Sequence, residues 1–326
     1  MKVLITGGAG FIGARLADRL ATLGHEVTVF DKAPWTAPNY RSILGDVRDL
    51  EALCDAVEGM DVVYNLAAEH RDDVRPISLY DEVNVGGARN LMQAVERAGV
   101  QSVIFTSSVA VYGASSTAMN EDTPHRYIND YGRTKSLAEA EHRKWAQADP
   151  ARSLVIVRPS VVFGPGNRGN VYNLLAQIAS GRFVMVGDGL NRKSMAYVEN
   201  IVAFLIQAHL AASGVATYNY ADKPDFDMNG LVALIRRELG SGDGVGPRLP
   251  LWLARIAGAA ASAFSSVSGR SLPISAVRLE KFVANTEIDA SLAIRDFTPP
   301  FDLKDALVLT LSEDIVRKTP KAAAPD

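Results

Sequence analysis

Lys2-Val3-Leu4-Ile5-Thr6-Gly7-Gly8-Ala9-Gly10-Phe11-Ile12-Gly13 is a short β-branched run that breaks into spaced glycines and then resumes with helical periodicity. A strand followed by a glycine turn and a helix is the first half of a βαβ unit. Each glycine has a distinct task there: Gly7 makes the tight turn, Gly10 lets the backbone approach a pyrophosphate, and Gly13 lets the helix pack against the strand. Helix amides at Phe11 and Ile12 then face the anion. The second β-branched run, Glu26 to Phe30, ends in Asp31, eighteen residues beyond Gly13, where a carboxylate accepts from the ribose hydroxyls and repels a 2′-phosphate. NAD is therefore expected over NADP, although Lys32 follows immediately and softens the repulsion.

Working outward, strands are expected at 2–6, 26–30, 61–66, 102–107 and 153–158, alternating with helices at 11–23, 49–58, 79–98 and 131–147. Leu16, Leu20 and Leu23, or Leu91, Val95 and Ala98, recur on one helical face. This rhythm predicts an α/β fold, a doubly wound parallel sheet of Rossmann type. After Pro159 it gives way to Gly/Pro-rich loops and shorter helices. We expect a dinucleotide-binding domain over 1–158, a smaller α/β unit over 159–316 that mainly binds substrate, and a frayed tail over 317–326.

Composition narrows the functional class. The 326 residues carry 34 basic and 37 acidic side chains, with 48% hydrophobic residues. The formal charge of −3 lacks the basic footprint of a nucleic-acid binder. Cys54 is the only cysteine, so neither an intrachain disulfide nor a thiolate metal cluster forms, and a reducing cytoplasm is the expected compartment. The first residues have no signal-peptide pattern. Leu249–Val267 holds Pro250, Arg255 and many small residues, so it falls short of a membrane span, and a core helix is expected over one resting on a membrane.

Tyr131-Gly132-Arg133-Thr134-Lys135 opens a helix and places a phenol and an ammonium on one face. A tyrosine with an ordinary pKa of about 10 becomes a base near neutrality only beside positive charge. Thr106, Ser107 and Ser108 run off the preceding strand, supplying a hydroxyl to share the proton. Within Gly45–Asp49, Asp46 with Val47 beside it meets the adenine edge, or Asp46 or Asp49 simply caps the helix that starts near 49.

These motifs together resemble the extended short-chain dehydrogenase/reductase family, over nearly the whole chain: TGGAGFIG at 6–13, Asp31, GDVRD at 45–49, NLAA at 65–68, NVGGARN at 84–90, TSSVAVYG at 106–113, YGRTK at 131–135 and RPSVVFGPGN at 158–167. The resemblance is closest to nucleotide-sugar 4-epimerases and 4-ketoreductases. It implies Tyr131 as acid/base, Lys135 on the nicotinamide ribose and Ser108 as the third catalytic residue, with Ser107 its competitor. It also implies cofactor contacts from Leu66, Ala67, Ala68 and Thr106. Asn84 is either structural or on the cofactor side. His70, Arg71, Arg192 and Lys193 are expected near the substrate, either cation of the last pair clamping a diphosphate.

Departures matter too. Relatives that eliminate water carry an acidic pair where this chain has Val109 and Ala110, and related decarboxylases keep a glutamate at 110; apolar side chains do no acid/base work. The leading expectation is an NAD-dependent 4-epimerase of a UDP-linked hexose or N-acetylhexosamine. Alternatives are a 4-ketoreductase, a hydroxysteroid-dehydrogenase-like enzyme and a cofactor-sensing regulator. A homodimer is expected because helices 79–98 and 131–147 carry more apolar surface than one sheet face covers, and relatives pair them into a four-helix bundle.

Overall fold

A computed structural model of the chain describes residues 1–71, 74–113, 115, 117–211, 214–268 and 276–317. The expected tail therefore lies outside the described residues apart from Arg317. The first half runs β1 (Lys2–Thr6), α1 (Phe11–Thr22), β2 (Glu26–Asp31), β3 (Arg41–Leu44), α2 (Leu50–Val57), β4 (Val62–Asn65), α3 (Ser78–Tyr80), a π-helical turn (Asp81–Gly86), α4 (Gly87–Ala98), β5 (Ser102–Thr106), α5 (Asp130–Gln147) and β6 (Ser153–Pro159). The predicted helix over 79–98 is thus two helices joined by a π turn. That turn swings Asn84 inward, where Oδ1 accepts from the Glu69 amide at 2.7 Å and Nδ2 donates to Thr134 Oγ1 at 2.9 Å.

Beyond β6 come β7 (Val161–Phe163), α6 (Asn170–Ala179), β8 (Met185–Val186), β9 (Arg192–Tyr197), α7 (Val198–Ala211), β10 (Val215–Tyr220), β11 (Asp222–Asp227), α8 (Met228–Glu238), β12 (Arg248–Leu249), α9 (Leu251–Ser268), α10 (Ala276–Val283), α11 (Ser291–Ile294) and α12 (Leu303–Leu311). The main sheet has seven strands in the order β10-β6-β5-β4-β1-β2-β3, all neighbours parallel. The change of rhythm at Pro159 does not divide the chain cleanly, because α7 and β10 return to this sheet. A smaller unit is built on the three-stranded sheet β11-β9-β7 and the pair β12-β8.

Both faces of the main sheet are covered, so its strands alternate between two cores rather than between core and water. Val3, Ile5, Tyr64 and Val155 pack against Leu16 and Leu20 of α1 and Leu205 of α7. Leu4, Val63, Phe105 and Ile156 pack on the other side against Leu53 of α2, Leu91 and Val95 of α4 and Trp145 of α5. A third core, including Phe163, Leu175, Met195, Leu231 and Leu307, holds the smaller unit together.

Two expectations are corrected here. Outward from the sheet, α4 and α5 leave only Leu137 as an exposed large hydrophobic among their described residues, so the apolar surplus that argued for a homodimer is absent. And α9 is not a core helix: Trp252, Leu253 and Ile256 are exposed while Ala254 and Gly258 face inward. Helix α9 packs against α10, and within 251–258 the buried residues are the small Ala254 and Gly258. Among the described residues no helix is long and apolar enough to cross a membrane.

Candidate active site

The carboxyl ends of β1, β2, β4 and β5 open into a cleft of about 600 Å³, closed on its far side by Pro159–Val162 and by Asn167, Gly169 and Asn170 of the smaller unit. Parallel strands place every C-terminal residue at the same edge, which is why distant segments meet here. Of the residues read from the sequence, Gly7, Gly10, Phe11, Ile12, Gly13, Asp31, Lys32, Asp46, Val47, Leu66, Ala67, Ala68, His70, Thr106, Ser107, Ser108, Tyr131 and Lys135 all line it.

The glycine turn is sterically obligatory. Gly7 has φ +71°, and a Cβ there would stand 2.6 Å from the Ala67 amide nitrogen. A Cβ on Gly13 would stand 2.4 Å from Gly7 O. Gly10 begins α1 with no side chain capping the helix, so the first-turn amides are left for a ligand's anion. Asp31 braces this turn, Oδ2 accepting from the Ala9 amide at 3.0 Å and Oδ1 from Ala33 at 2.9 Å. Lys32 is drawn away to Glu69, 3.2 Å distant, so the cation expected to soften Asp31 is engaged elsewhere. Burial works against ionisation of Glu69, but Lys32 and Arg71 hold its carboxyl below the usual range. Asp46 is occupied by Arg48, whose guanidinium keeps that carboxyl below its ordinary value. Asp49 is the helix cap, accepting from Glu51 and Ala52.

The catalytic cluster is positioned by a close approach of α5 to the Val109–Val111 turn. Asn129 caps α5 by accepting from the Gly132 amide at 2.8 Å. Any Cβ at Gly132 would meet Ala110 O at 2.3 Å, so only glycine lets the helix start this near. Tyr131 and Ser108 thereby line the same part of the cleft, close enough for the Ser108 hydroxyl to favour the ionised phenol. Burial pushes the Tyr131 phenol up to about 12, with the Ser108 hydroxyl opposing. Burial brings Lys135 down to about 7 against the pull of Glu139; its Nζ donates to Thr106 O at 2.7 Å and lies 4.7 Å from the centre of the Phe105 ring.

Ser107 has a different task from Ser108. Its hydroxyl donates to Glu139 Oε1 at 2.6 Å, below the site. Glu139 also forms a two-pronged buried pair with Arg158, at 2.8 and 2.6 Å, and Arg158 in turn donates to Tyr112 OH at 2.6 Å. Burial opposes the Glu139 charge, and Arg158 with Ser107 more than restores it. This support went unread in the sequence. Its signal is there: Arg158 is a lone cation ending the apolar run Leu154–Val157, and Glu139 follows Lys135 by one helical turn.

Four expected site residues are not on the cleft wall. Asn84 is consumed internally, as described, clamping the Glu69 segment to α5. Arg71 pairs with Glu69 and its side chain is largely exposed. Lys193 on β9 donates to Ala284 O, Arg192 is exposed beside Asn285, and neither is among the residues that line the cleft. Conversely Thr106 Oγ1 and Ser160 Oγ are buried with no hydrogen-bond partner among the described residues, although both residues line the cleft. Orphaned hydroxyls and unsatisfied helix amides are what a bound dinucleotide and polar substrate would satisfy. The residues present thus fit NAD.

A family model described as NAD dependent epimerase/dehydratase matches residues 3–221. The chain belongs to the NAD-dependent epimerase/dehydratase family. It is an enzyme, and NAD is its cofactor. The N-acetyl-α-D-glucosaminyl-diphospho-ditrans,octacis-undecaprenol 4-epimerase of Escherichia coli O157:H7 is 45% identical over 97% of this chain and 96% of its own length. The 3β-hydroxysteroid dehydrogenase/Δ5→4-isomerase of Mycobacterium tuberculosis is 34% identical, over 66% of this chain and 62% of its own. Among solved structures, MoeE5 in complex with UDP-glucose and NAD matches at TM-score 0.75 and 26% identity, over 96% of this chain and 98% of that one. UDP-glucose 4-epimerase of Thermotoga maritima shares the fold, with TM-score 0.76 and 22% identity over 96% of this chain and 98% of its own.

Proposed function

We propose that this family member inverts C4 of an N-acetylhexosamine carried on a diphosphate, and that the carrier is a polyprenol. The observation that carries the reading is Ser108, Tyr131 and Lys135 together on the wall of a cleft that fits NAD, in a chain 45% identical end to end to an enzyme named for a lipid-diphosphate-linked sugar. NAD supplies, when bound, a reversible acceptor for the hydride of a carbinol carbon. The protein's part is proton traffic. Tyr131 takes the C4 hydroxyl proton as the carbonyl forms and returns it as the hydroxyl re-forms on the opposite face, while Ser108 holds the oxygen in line. Lys135, when protonated, stabilises the phenolate electrostatically. No group in the cycle is consumed, so turnover needs no added reductant. Apolar Val109 and Ala110 beside the site favour epimerisation over elimination.

A UDP-linked hexose or N-acetylhexosamine is the second reading, favoured by the UDP-glucose bound to MoeE5. One experiment separates them. The purified protein is incubated with UDP-N-acetylglucosamine, UDP-glucose and polyprenyl-diphospho-N-acetylglucosamine in detergent, without NADH, and products are read by proton NMR. Conversion of the polyprenyl substrate at the higher kcat/KM supports the proposal, and conversion of a UDP-sugar alone replaces the carrier. If neither is converted while a 4-keto sugar is reduced with one NAD(P)H per product, the enzyme is a ketoreductase. Pairing of two copies through α4 and α5 belongs to the same proposal on the strength of the family resemblance; sedimentation at micromolar concentration tests it. The reducing compartment suggested by a lone Cys54 fits a cytoplasmic enzyme.

A further inference from the structure

We propose that the first turns of α9 dock the protein on an anionic bilayer surface, bringing the cleft to a substrate that does not leave the membrane. The inference rests on the polyprenyl reading above. A long isoprenoid chain is held by roughly 0.8 kcal/mol for each buried methylene, so an enzyme acting on its headgroup must come to the bilayer. A helix lying in the interface meets that need, and none of the helices among the described residues is long and apolar enough to cross the bilayer.

Helix α9 has the composition for it. Trp252 is 63% exposed and Ile256 61%, one helical turn apart on one side, with Leu253 beside them. No other helical turn among the described residues exposes three large hydrophobic side chains. Leu190, also exposed, stands on the neighbouring loop, which Arg248 ties to the start of α9 by donating to Gly187 O and Asp188 O. Tryptophan is the side chain that favours the headgroup level.

Charge points the same way. Residues 236–283 hold seven Lys and Arg against three Asp and Glu, a local excess of four positive charges in a chain whose total is −3. Arg248 and Arg255 bracket Trp252 directly, Arg255 being half-exposed and paired with Glu280 at 3.0 Å. Basic residues around an apolar helical turn are what an anionic leaflet attracts, each adding roughly 1 kcal/mol near the surface. The smaller unit that carries α9 also supplies Val162, Asn167 and Asn170 to the cleft, so docking here brings the unit that binds substrate to the lipid.

The test uses the full chain with Trp35→Phe, leaving Trp252 and the buried Trp145 as reporters, and vesicles of phosphatidylcholine with or without one-quarter phosphatidylglycerol. The expected result is co-sedimentation with the anionic vesicles, a blue shift of emission, and weaker binding at high salt. Trp252→Ser with Ile256→Ser should lower vesicle partitioning at least tenfold. The same double variant should lower kcat/KM on vesicle-embedded long-chain substrate by a similar factor while leaving turnover of a short-chain, water-soluble prenyl-diphospho-sugar unchanged, which also shows that it folds. Equal vesicle binding by parent and variant, or none by either, overturns the proposal. So does a change in the variant's sedimentation mass without vesicles, which would make the patch an interface between copies. Vesicle binding lost in the variant, by a protein that converts UDP-sugars only, would refute the polyprenyl carrier and leave the docking surface standing.

Discussion

Replacing Lys135 by methionine removes the only charge that shares a helix face with Tyr131 at one turn's spacing. In the cofactor-free cleft the Tyr131 phenol stands at about 12, so its ionised form lies roughly 7 kcal/mol uphill at pH 7. Side chains at i and i+4 lie about 6 Å apart, and at an effective dielectric constant of about 20 a unit charge at that distance contributes about 3 kcal/mol, or roughly 2 pH units. The substitution should therefore move the acid limb of the pH–rate profile up by about 2 units and slow turnover about 100-fold at pH 7. The difference from the parent should narrow toward pH 10, because Lys135, brought down to about 7, has itself lost its charge there. The assay is epimer formation followed by proton NMR from pH 6 to 10 at saturating NAD and substrate, with cofactor affinity measured separately by titration. An equal loss at every pH, with the acid limb in place, would refute the electrostatic role and leave Lys135 as a structural bond to Thr106 O.

Three further outcomes are expected. Tyr131→Phe should lower kcat by roughly 10²–10⁴-fold with cofactor affinity nearly intact, and Ser108→Ala should slow turnover more than Ser107→Ala, which should instead lower the melting temperature because Ser107 serves Glu139; the reverse order of rates would exchange the two roles. Asp31→Ala should narrow or invert the preference for NAD over NADP, since Lys32 is held by Glu69 and offers no compensating contact; an unchanged ratio from paired titrations would show that Asp31 does not meet the ribose. His142 is buried neutral, Nδ1 donating to Ala138 O and Nε2 accepting from Asn65, and burial holds it down to about 4. The unfolded chain binds that proton from about pH 6.5 downward, so the folded state loses stability as pH falls from 6.5 to about 4. His142→Gln should flatten that loss in thermal melts at pH 7 and 4.5, and an unchanged slope would place the acid sensitivity elsewhere.

The glycine spacing at 7, 10 and 13, the acid at 31 and the Tyr131–Lys135 interval were legible in the sequence because each is a local event. A turn, a strand end and one helical turn are set by residues within a few positions of one another. The same locality explains what was misread. Arg192 and Lys193 look like an anion clamp in one dimension, but β9 pairs with β11 and with the segment at Thr286, and neither residue is on the cleft wall. Asn84 looked equally suited to a structural or a cofactor-side role, and the π turn aims its amide at Glu69 and Thr134.

Tertiary structure alone decided the support beneath the site and the surface around it. Glu139 and Arg158 lie on different elements and meet only because α5 packs across β5 and β6; a carboxylate and a guanidinium that find each other in the core stay charged there, where either alone would not. Ser107 and Ser108 are adjacent and chemically identical, and their division of labour follows from which side of the strand end each faces. Helix α9 illustrates the same limit from the outside. Its sequence specifies a helix with Trp252, Leu253 and Ile256 in its first turns, but whether those side chains are core or surface depends on what packs beneath them, and burial is a property of the assembled chain rather than of any stretch of it.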